Sequence, residues 1–459
     1  MNNIKVLLLH SALLKIMQNI TESPKDIPVV QQTDVIVCGS GPAGIGAALA
    51  AARTGARVQL IEVHGCLGGV WTAGLLTWII DALEKPGILV DLMQRLHERG
   101  AMIARDCDPK QDIPSKPQNA FGYDVEIMKV LLEEMCLEAG VNIRYHTRVV
   151  AASVNEKNDL TTIITESKSG REAWQAKAFV DCTGEGDLAA LAGCGFDYGD
   201  PATGKAQPMS LLAIIGGVDA TEIAPFHRFH AGSTGKSAKG ELLKEMRRAG
   251  VNPSYEAPTL FKITDNLFTL MTHHQYNVCG MDADDVTRAT IEGRRELHEI
   301  VRALKSLGGV WKNLHLASTA EQIGIREGRR IHGLYTVSTE DVLSGARHPD
   351  AVCRCHFSVD IHSTDPTQNK AIAKHHYKAV PYDIPLRALI ARDVHYLLMA
   401  GRCISGSFEA HASYRVTGNA VALGQGAGVA AALSAQHQMP PQDLPWELIE
   451  EAQRRLDVN

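Results

Sequence analysis

The chain has no Cys-x-x-Cys pair, no His/Cys cluster at zinc-finger spacing, no unbroken apolar run of about 20 residues and no surplus of positive charge. Each absence excludes something. The 10 cysteines are scattered, and their closest approach is Cys353-Arg354-Cys355. That removes a disulfide framework and a thiol-ligated metal centre, so no metal ligands are assigned. It suits a reducing cytosol in which thiols serve as small apolar fillers. A net charge of −6 lacks the electrostatic footprint of a nucleic-acid binder. The pairs Arg247-Arg248, Arg294-Arg295 and Arg329-Arg330 are interleaved with acids and read as solvated helix faces. Near the start, Val6 to Leu9 and Ala12 to Leu14 mimic a signal peptide, but His10 and Lys15 interrupt the run and no small-residue cleavage site follows. Residues 1–30 therefore read as an N-terminal extension, either a short amphipathic helix or an oligomer contact, and the chain as cytoplasmic with no membrane span. What remains is a 459-residue chain, 45% hydrophobic and 21% charged, long enough for a large core in roughly two to four domains.

The chemistry starts after Ser23-Pro24-Lys25-Asp26-Ile27-Pro28, which reads as a linker. Asp34-Val35-Ile36-Val37-Cys38 has the unbroken apolar character of a buried parallel strand. Gly39-Ser40-Gly41-Pro42-Ala43-Gly44 follows it, then an Ala-rich helix to about Thr54, then the strand Arg57 to Ile61 ending on Glu62. Gly39 permits the tight turn, Gly41 admits a pyrophosphate to the backbone, and Gly44 allows close helix–strand packing. The helix start offers unpaired N–H groups and a positive dipole end. Glu62 is placed to accept from ribose hydroxyls, and an acid there disfavours a 2′-phosphate.

After Glu62 come Val63 to Leu67 and then Gly68-Gly69-Val70-Trp71-Thr72. This Glu-x(5)-Gly-Gly pattern resembles the FAD-binding segment of the glutathione-reductase-like flavoproteins, and so favours FAD over NAD. Ala178 to Asp187, with Thr183-Gly184 at its turn, resembles the strand that returns to the nucleotide domain. Val149 falls where these folds touch the adenine. Near the end, Tyr396 to Met399 reads as a strand leading to Gly401-Arg402-Cys403, with an Ala/Gly-rich helix from about Ala420 to Ser434. Leu67-Gly68-Gly69, Ile323 to Ile331, Ala400 to Cys403, Ala412 to Val416 and Gly424 to Gly428 together resemble the FAD-dependent oxidoreductase family from about residue 30 to 435. The resemblance implies an α/β fold: a Rossmann-type FAD-binding domain, with a parallel sheet, helices on both faces and a small antiparallel sheet, carrying an inserted α+β substrate/cap domain. The expected divisions are 31–200 and 381–440 for the two parts of the FAD domain, 201–380 for the cap and 441–459 for a tail. Arg402 stands where many relatives in the wider superfamily carry a ribityl-binding Asp, so the resemblance does not carry ribityl recognition to that position.

No second GxGxxG unit appears between 200 and 380, which takes most of the weight from a pyridine-nucleotide reductase of the glutathione-reductase type. The expected activity is oxidation of a small polar molecule by hydride transfer to the flavin, as a dehydrogenase or oxidase. Oxygen, a quinone or a protein stays open as electron acceptor, and a homo-oligomer stays open too. Such chemistry wants a base and positive potential at the flavin N1–C2=O edge. The helix starting near Gly418-Asn419 supplies the potential. His411 is the first candidate base and His362, in Asp360-Ile361-His362, the second. Arg415 reads as a carboxylate or flavin ligand or a structural ion pair. Arg326, Glu327, Arg329 and Arg330 read as an ion-pair lattice that holds the cap, with substrate contact as the alternative. Competing readings are a thiol or electron-transfer flavoprotein, motivated by Cys66 and Cys353/Cys355, and a non-catalytic or tRNA-modifying flavoprotein. Cys66 and His64 also raise covalent flavin attachment.

Overall fold

The structure, a computed structural model, describes residues 20–104, 120–227 and 235–457. The signal-like run at residues 6–14 lies outside the described residues. In chain order, the nucleotide half begins with β1 (Val29–Cys38), α1 (Pro42–Arg53) and β2 (Val58–Ile61), followed by β3 (Asn142–Arg144), β4 (Arg148–Val154), β5 (Leu160–Ser167) and β6 (Gly170–Asp181). The second half supplies β7 (Ala213–Gly216), β8 (Thr259–Lys262), β9 (Leu267–Met271), α2 (Ala283–Ser306) and β10 (His315–Thr319). The chain then returns as β11 (Leu397–Met399), α3 (Phe408–Tyr414) and α4 (Thr417–His437).

Strands β3, β2, β1, β6 and β11 lie side by side and parallel. Val35 to Cys38 at the end of β1 are fully enclosed, which explains their unbroken apolar run. The order steps outward from β1 in both directions, and in such sheets ligands bind beyond the strand carboxyl ends at that switch point. Small antiparallel sheets stand apart from the main one, among them the three-stranded sheet formed by Trp78–Ile80, Ala120–Tyr123 and Met102–Ala104, and the main sheet also carries antiparallel strands at one edge. The first part of β6 pairs with β5 and β5 with β4, so one seven-stranded sheet holds both kinds of pairing. Strands β3 and β4 are separated at Tyr145–Thr147, where His146 takes a positive φ.

Helices α1 and α4 meet backbone to backbone. A Cβ at Gly424 would overlap the backbone of Ala43, and one at Gly428 that of Ala47. Residues Thr417 to Ala435 of α4 are buried on all sides, so it has no amphipathic face to read. Gly424→Val is expected to cost at least 1–3 kcal/mol, the usual range for overpacking a core, and more here because the obstacle is backbone. The check is the shift in thermal unfolding of the purified protein.

The second half builds a four-stranded antiparallel sheet, β8-β9-β7-β10. Helix α2 carries Ala289, Gly293, Leu297, Ile300, Val301 and Leu304 as its buried stripe, and Asp282 caps its start by accepting from Asp285 N. Together they enclose a separate core around Leu211, Ile215, Phe268, Leu270 and Trp311. Its buried members in this half run from Met209 to Ile323. Ile331, Val337, Val342 and Cys353 belong instead to the core of the nucleotide half. The strand Ala351–Cys355 pairs with Tyr382–Pro385 and packs on α4, where a Cβ at Gly426 would lie 2.7 Å from Val352 Cβ. Among the described residues no single helix is long and apolar enough to cross a membrane.

Candidate functional site

The loop after β1 forms the first part of the site. Gly39 has φ +91°, and a Cβ there would lie 2.5 Å from the Cys182 carbonyl oxygen, so only glycine fits. Gly44 packs on Gly39, holding the start of α1 against the turn. At Gly41 a Cβ would meet nothing within 4 Å. No side chain caps α1 and no acid lies in its first turn, so its N–H groups face open space. Glu62 is buried beside this loop, its Oε2 accepting from Ser40 N at 2.7 Å and Ser40 Oγ at 2.6 Å, and its Oε1 from His64 N at 2.8 Å. Thr147 N donates to the Glu62 carbonyl, which brings Val149 on β4 to the same end.

The second segment crosses the first. Gly68 N donates to Ser40 O, and a Cβ at Gly69 would lie 3.0 Å from Gly41 Cα. Thr72 is turned inward, its Oγ1 donating to Leu67 O at 2.5 Å. Trp71 is fully buried with its indole N–H unpartnered. Thr183 donates through N and Oγ1 to Asp181, whose other oxygen accepts from Ala189 N. That buried carboxylate shapes the turn carrying Gly184, a role the sequence reading did not assign. Gly401 meets Ala43 of α1. Arg402 pairs with Glu185 at 2.7 Å over Gly184 and also donates to the Ile325 carbonyl, tying the return strand to the second half.

At the start of α4 there is no capping side chain and no acid, Thr417 Oγ1 is buried without a partner, and Arg415 lies just before it. Gly418 is pressed on the Ile80 and Asp81 carbonyls. Asp81 in turn forms a buried ion pair with Lys85 and accepts from His356 N and Phe357 N. Asn419 is turned toward the strand 351–355. Its Nδ2 donates to Cys355 Sγ at 3.1 Å, and Cys353 Sγ donates to its Oδ1 at 3.6 Å. Burial pushes the Cys355 thiol up to about 11 and Cys353 higher, so both stay protonated packing groups. Burial also pushes Cys66 up, against its contact with Thr72.

The two candidate bases are in different situations. His411 on α3 is fully enclosed, edge-on to Tyr414, with neither ring nitrogen partnered. Burial and the charges of Arg330, Arg415 and Arg402 hold it well below its ordinary value, and no acid orients it. His362 is also buried but has an acid beside it. Its Nε2 lies 3.3 Å from Asp360 Oδ2, and its Nδ1 is buried without a partner. Burial first, then the Arg326 charge, lowers His362 to about 3. Burial would raise Asp360, but the bond from His362 and the charges of Arg415 and Arg326 hold its carboxyl far below the usual range.

The cluster around His362 was not legible from spacing. His274 packs on His362 with ring centroids 4.9 Å apart, and Tyr255 on His274 at 4.1 Å. Gln207 accepts from His362 N at 2.9 Å. Arg415 donates to Asp360 O at 2.8 Å and approaches its carboxylate at 3.3 Å. The motif read as a lattice is one only in part. Arg329 pairs with Asp187 and Arg330 with Glu327, but Arg326 donates to Pro208 O and Ser210 Oγ and pairs with no carboxylate among the described residues.

Residues 34–456 match the family described as FAD dependent oxidoreductase. No curated protein matches the chain. Among solved structures, the chain is similar to a geranylgeranyl bacteriochlorophyll reductase-like protein from Thermoplasma acidophilum, at 12% identity over 93% of this chain and 84% of that one, with a TM-score of 0.45. It is similar to p-nitrophenol 4-monooxygenase from Pseudomonas putida DLL-E4 at 12% identity, the same shares and a TM-score of 0.44. It is also similar to the myxobacterial chondrochloren halogenase at 11% identity, over 93% and 79% of the chains, with a TM-score of 0.46.

Proposed function

Because the chain belongs to the FAD dependent oxidoreductase family, with FAD as its cofactor, we propose that it oxidises a small polar molecule bound beside His362, as a dehydrogenase or oxidase. The observation that carries this reading is the buried His362 ring, with one nitrogen on Asp360 and the other unpartnered. An imidazole oriented in this way donates through Nε2 and keeps the Nδ1 lone pair free to take a proton.

The residues fit the cofactor. The open space at Gly41 and the uncapped start of α1 would take the pyrophosphate, with Gly39 and Gly44 shaping the turn. Glu62 and Val149 would lie toward the adenosine, while Gly68, Gly69, Trp71, Thr72, Thr183, Gly184, Gly401 and Arg402 would line its course. The start of α4 at Gly418-Asn419 presents donors and no acid, and Arg415 just before it, paired with Asp360, adds a further donor group, which suits the electron-rich edge of the ring system. FAD, when bound, supplies the two-electron acceptor. His362 takes the hydroxyl or amine proton of the substrate, Asp360 holds the imidazole and stabilises its charged form, and Tyr255 and His274 keep water from the pair.

The experiment is an anaerobic screen of hydroxy acids, amines, polyols and sugars for bleaching of the flavin absorbance. Failure of every class to bleach it would remove the reading. A pH consequence follows from His362 staying neutral down to about 3. Its base form persists across the ordinary range, so the rate of flavin reduction should be flat from about pH 8 to about pH 5, with no limb near 6.5. Stability carries the matching sign. The unfolded chain takes up this proton near 6.5 and the folded one only near 3, so His362 favours folding above 6.5 and loses that contribution as pH falls through the interval.

A further inference from the structure

The geometry points to a small carboxylate as the substrate class, its carboxyl group held by Arg326 and the Gln207 amide with Arg415 beside them. This rests on reading the His362 cluster as the substrate site. The chain of contacts is short. Arg326 donates to Pro208 O at 2.7 Å, the neighbouring Gln207 accepts from His362 N, and His362 leads through Asp360 to Arg415. On its other side Arg326 donates to Ser210 Oγ at 2.8 Å, and that hydroxyl donates to the His273 carbonyl, next to His274. The guanidinium thus lies close enough to both imidazoles for its charge to add to burial in holding each below its ordinary value, so the three form one cluster at one place.

The charges around that place do not balance. Arg330 is matched by Glu327 and Arg415 by Asp360, which leaves Arg326 over. Arg326 is half-buried, and its printed partners are the Pro208 carbonyl and the Ser210 hydroxyl, neither of them an anion. An unmatched guanidinium drawn partly out of water is costly unless an anion joins it. Burial and the Arg415 charge lower Arg326 to about 10, a sign of cations crowded together. Gln207 is 2% exposed and its Nε2 has no partner, although its Oε1 is fixed by His362. A second unpartnered donor therefore stands on the residue before Pro208, whose carbonyl Arg326 binds, and Arg415 Nε is also unpartnered. Guanidinium and amide N–H groups with no acceptor of their own are the recognition chemistry of a carboxylate. Held by that group, the substrate's hydroxyl- or amine-bearing carbon would come to the free nitrogen of His362.

The test uses the FAD-loaded protein with sodium glycolate and sodium succinate against ethylene glycol and succinamide at matched ionic strength. The expected result is a saturable shift of the flavin absorbance and a raised melting temperature with the two carboxylates only. Arg326→Gln should weaken carboxylate binding about tenfold to a hundredfold, the effect of losing a charged hydrogen bond. Its melting temperature without ligand should stay level or rise, which a structural arginine would not allow. Gln207→Glu keeps the acceptor for His362 N and turns the free donor into a repelling charge, so it should abolish carboxylate binding. Neutral probes acting as strongly as carboxylates, or an unchanged dissociation constant in Arg326→Gln, would overturn the inference. A neutral alcohol that bleaches the flavin with no carboxylate effect would overturn it and leave the His362 reading in place. Carboxylate binding with no bleaching by any compound in the wider screen would do the reverse.

Discussion

Gly41→Val is expected to yield a folded protein that has lost FAD. Residue 41 has φ −60° and ψ −177°, ordinary values for any L-residue, and a Cβ there meets nothing within 4 Å. The valine side chain therefore costs the fold little. Its methyl groups would fill the space that the N–H groups at the start of α1 face. Charge-assisted hydrogen bonds are each worth about 1.5–3 kcal/mol, and losing two of them weakens binding about 100-fold or more. Purification should give a colourless protein with a melting temperature close to that of the stripped parent. Gly39→Val is the contrast, because positive φ and the Cys182 carbonyl leave no room, and it should lose the fold along with the cofactor. A yellow Gly41→Val protein would put the pyrophosphate elsewhere.

His362→Asn should retain FAD and reduce it about 10²–10⁴-fold more slowly with the cognate substrate, the usual effect of removing a positioned base. Asp360→Asn should show a smaller loss, since the imidazole would remain without its orienting partner. His411→Asn should leave the rate near that of the parent and act on stability alone, because His411 has neither an orienting acid nor an exposed edge. Stopped-flow reduction of the three variants separates these outcomes. A full rate in His362→Asn would withdraw the proton-acceptor role from this residue.

The nucleotide half was largely legible because its constraints are local. A strand buried on both faces, a turn that only glycine can make and a small-residue helix all leave marks within a few neighbours, and Val35 to Gly44 carried them. The pairing of Ala351–Cys355 with Tyr382–Pro385, with its packing on α4, is a long-range feature that no local pattern records. The His362 cluster draws on Gln207, Tyr255, His274, Arg326, Asp360 and Arg415, residues far apart in the chain that meet only after folding. In sequence Arg326 looks like its neighbours Arg329 and Arg330. What distinguishes it is the lack of an acid in space, and spacing is blind to that. His411 was favoured because it lies between β11 and α4, but nearness along the chain says nothing about which way a helix turns its side chains.

The seam between α1 and α4 also governs the order of assembly. Ala43 and Ala47 leave the ribosome well before Gly424 and Gly428, whose backbones they touch. The loop closed by that contact contains the whole second half, and long closures are entropically expensive and slow. The second core draws mainly on one continuous stretch from Met209 to Ile323. It can gather during synthesis, as contiguous units tend to do, and the cradle for the dinucleotide closes only after the last long helix is released.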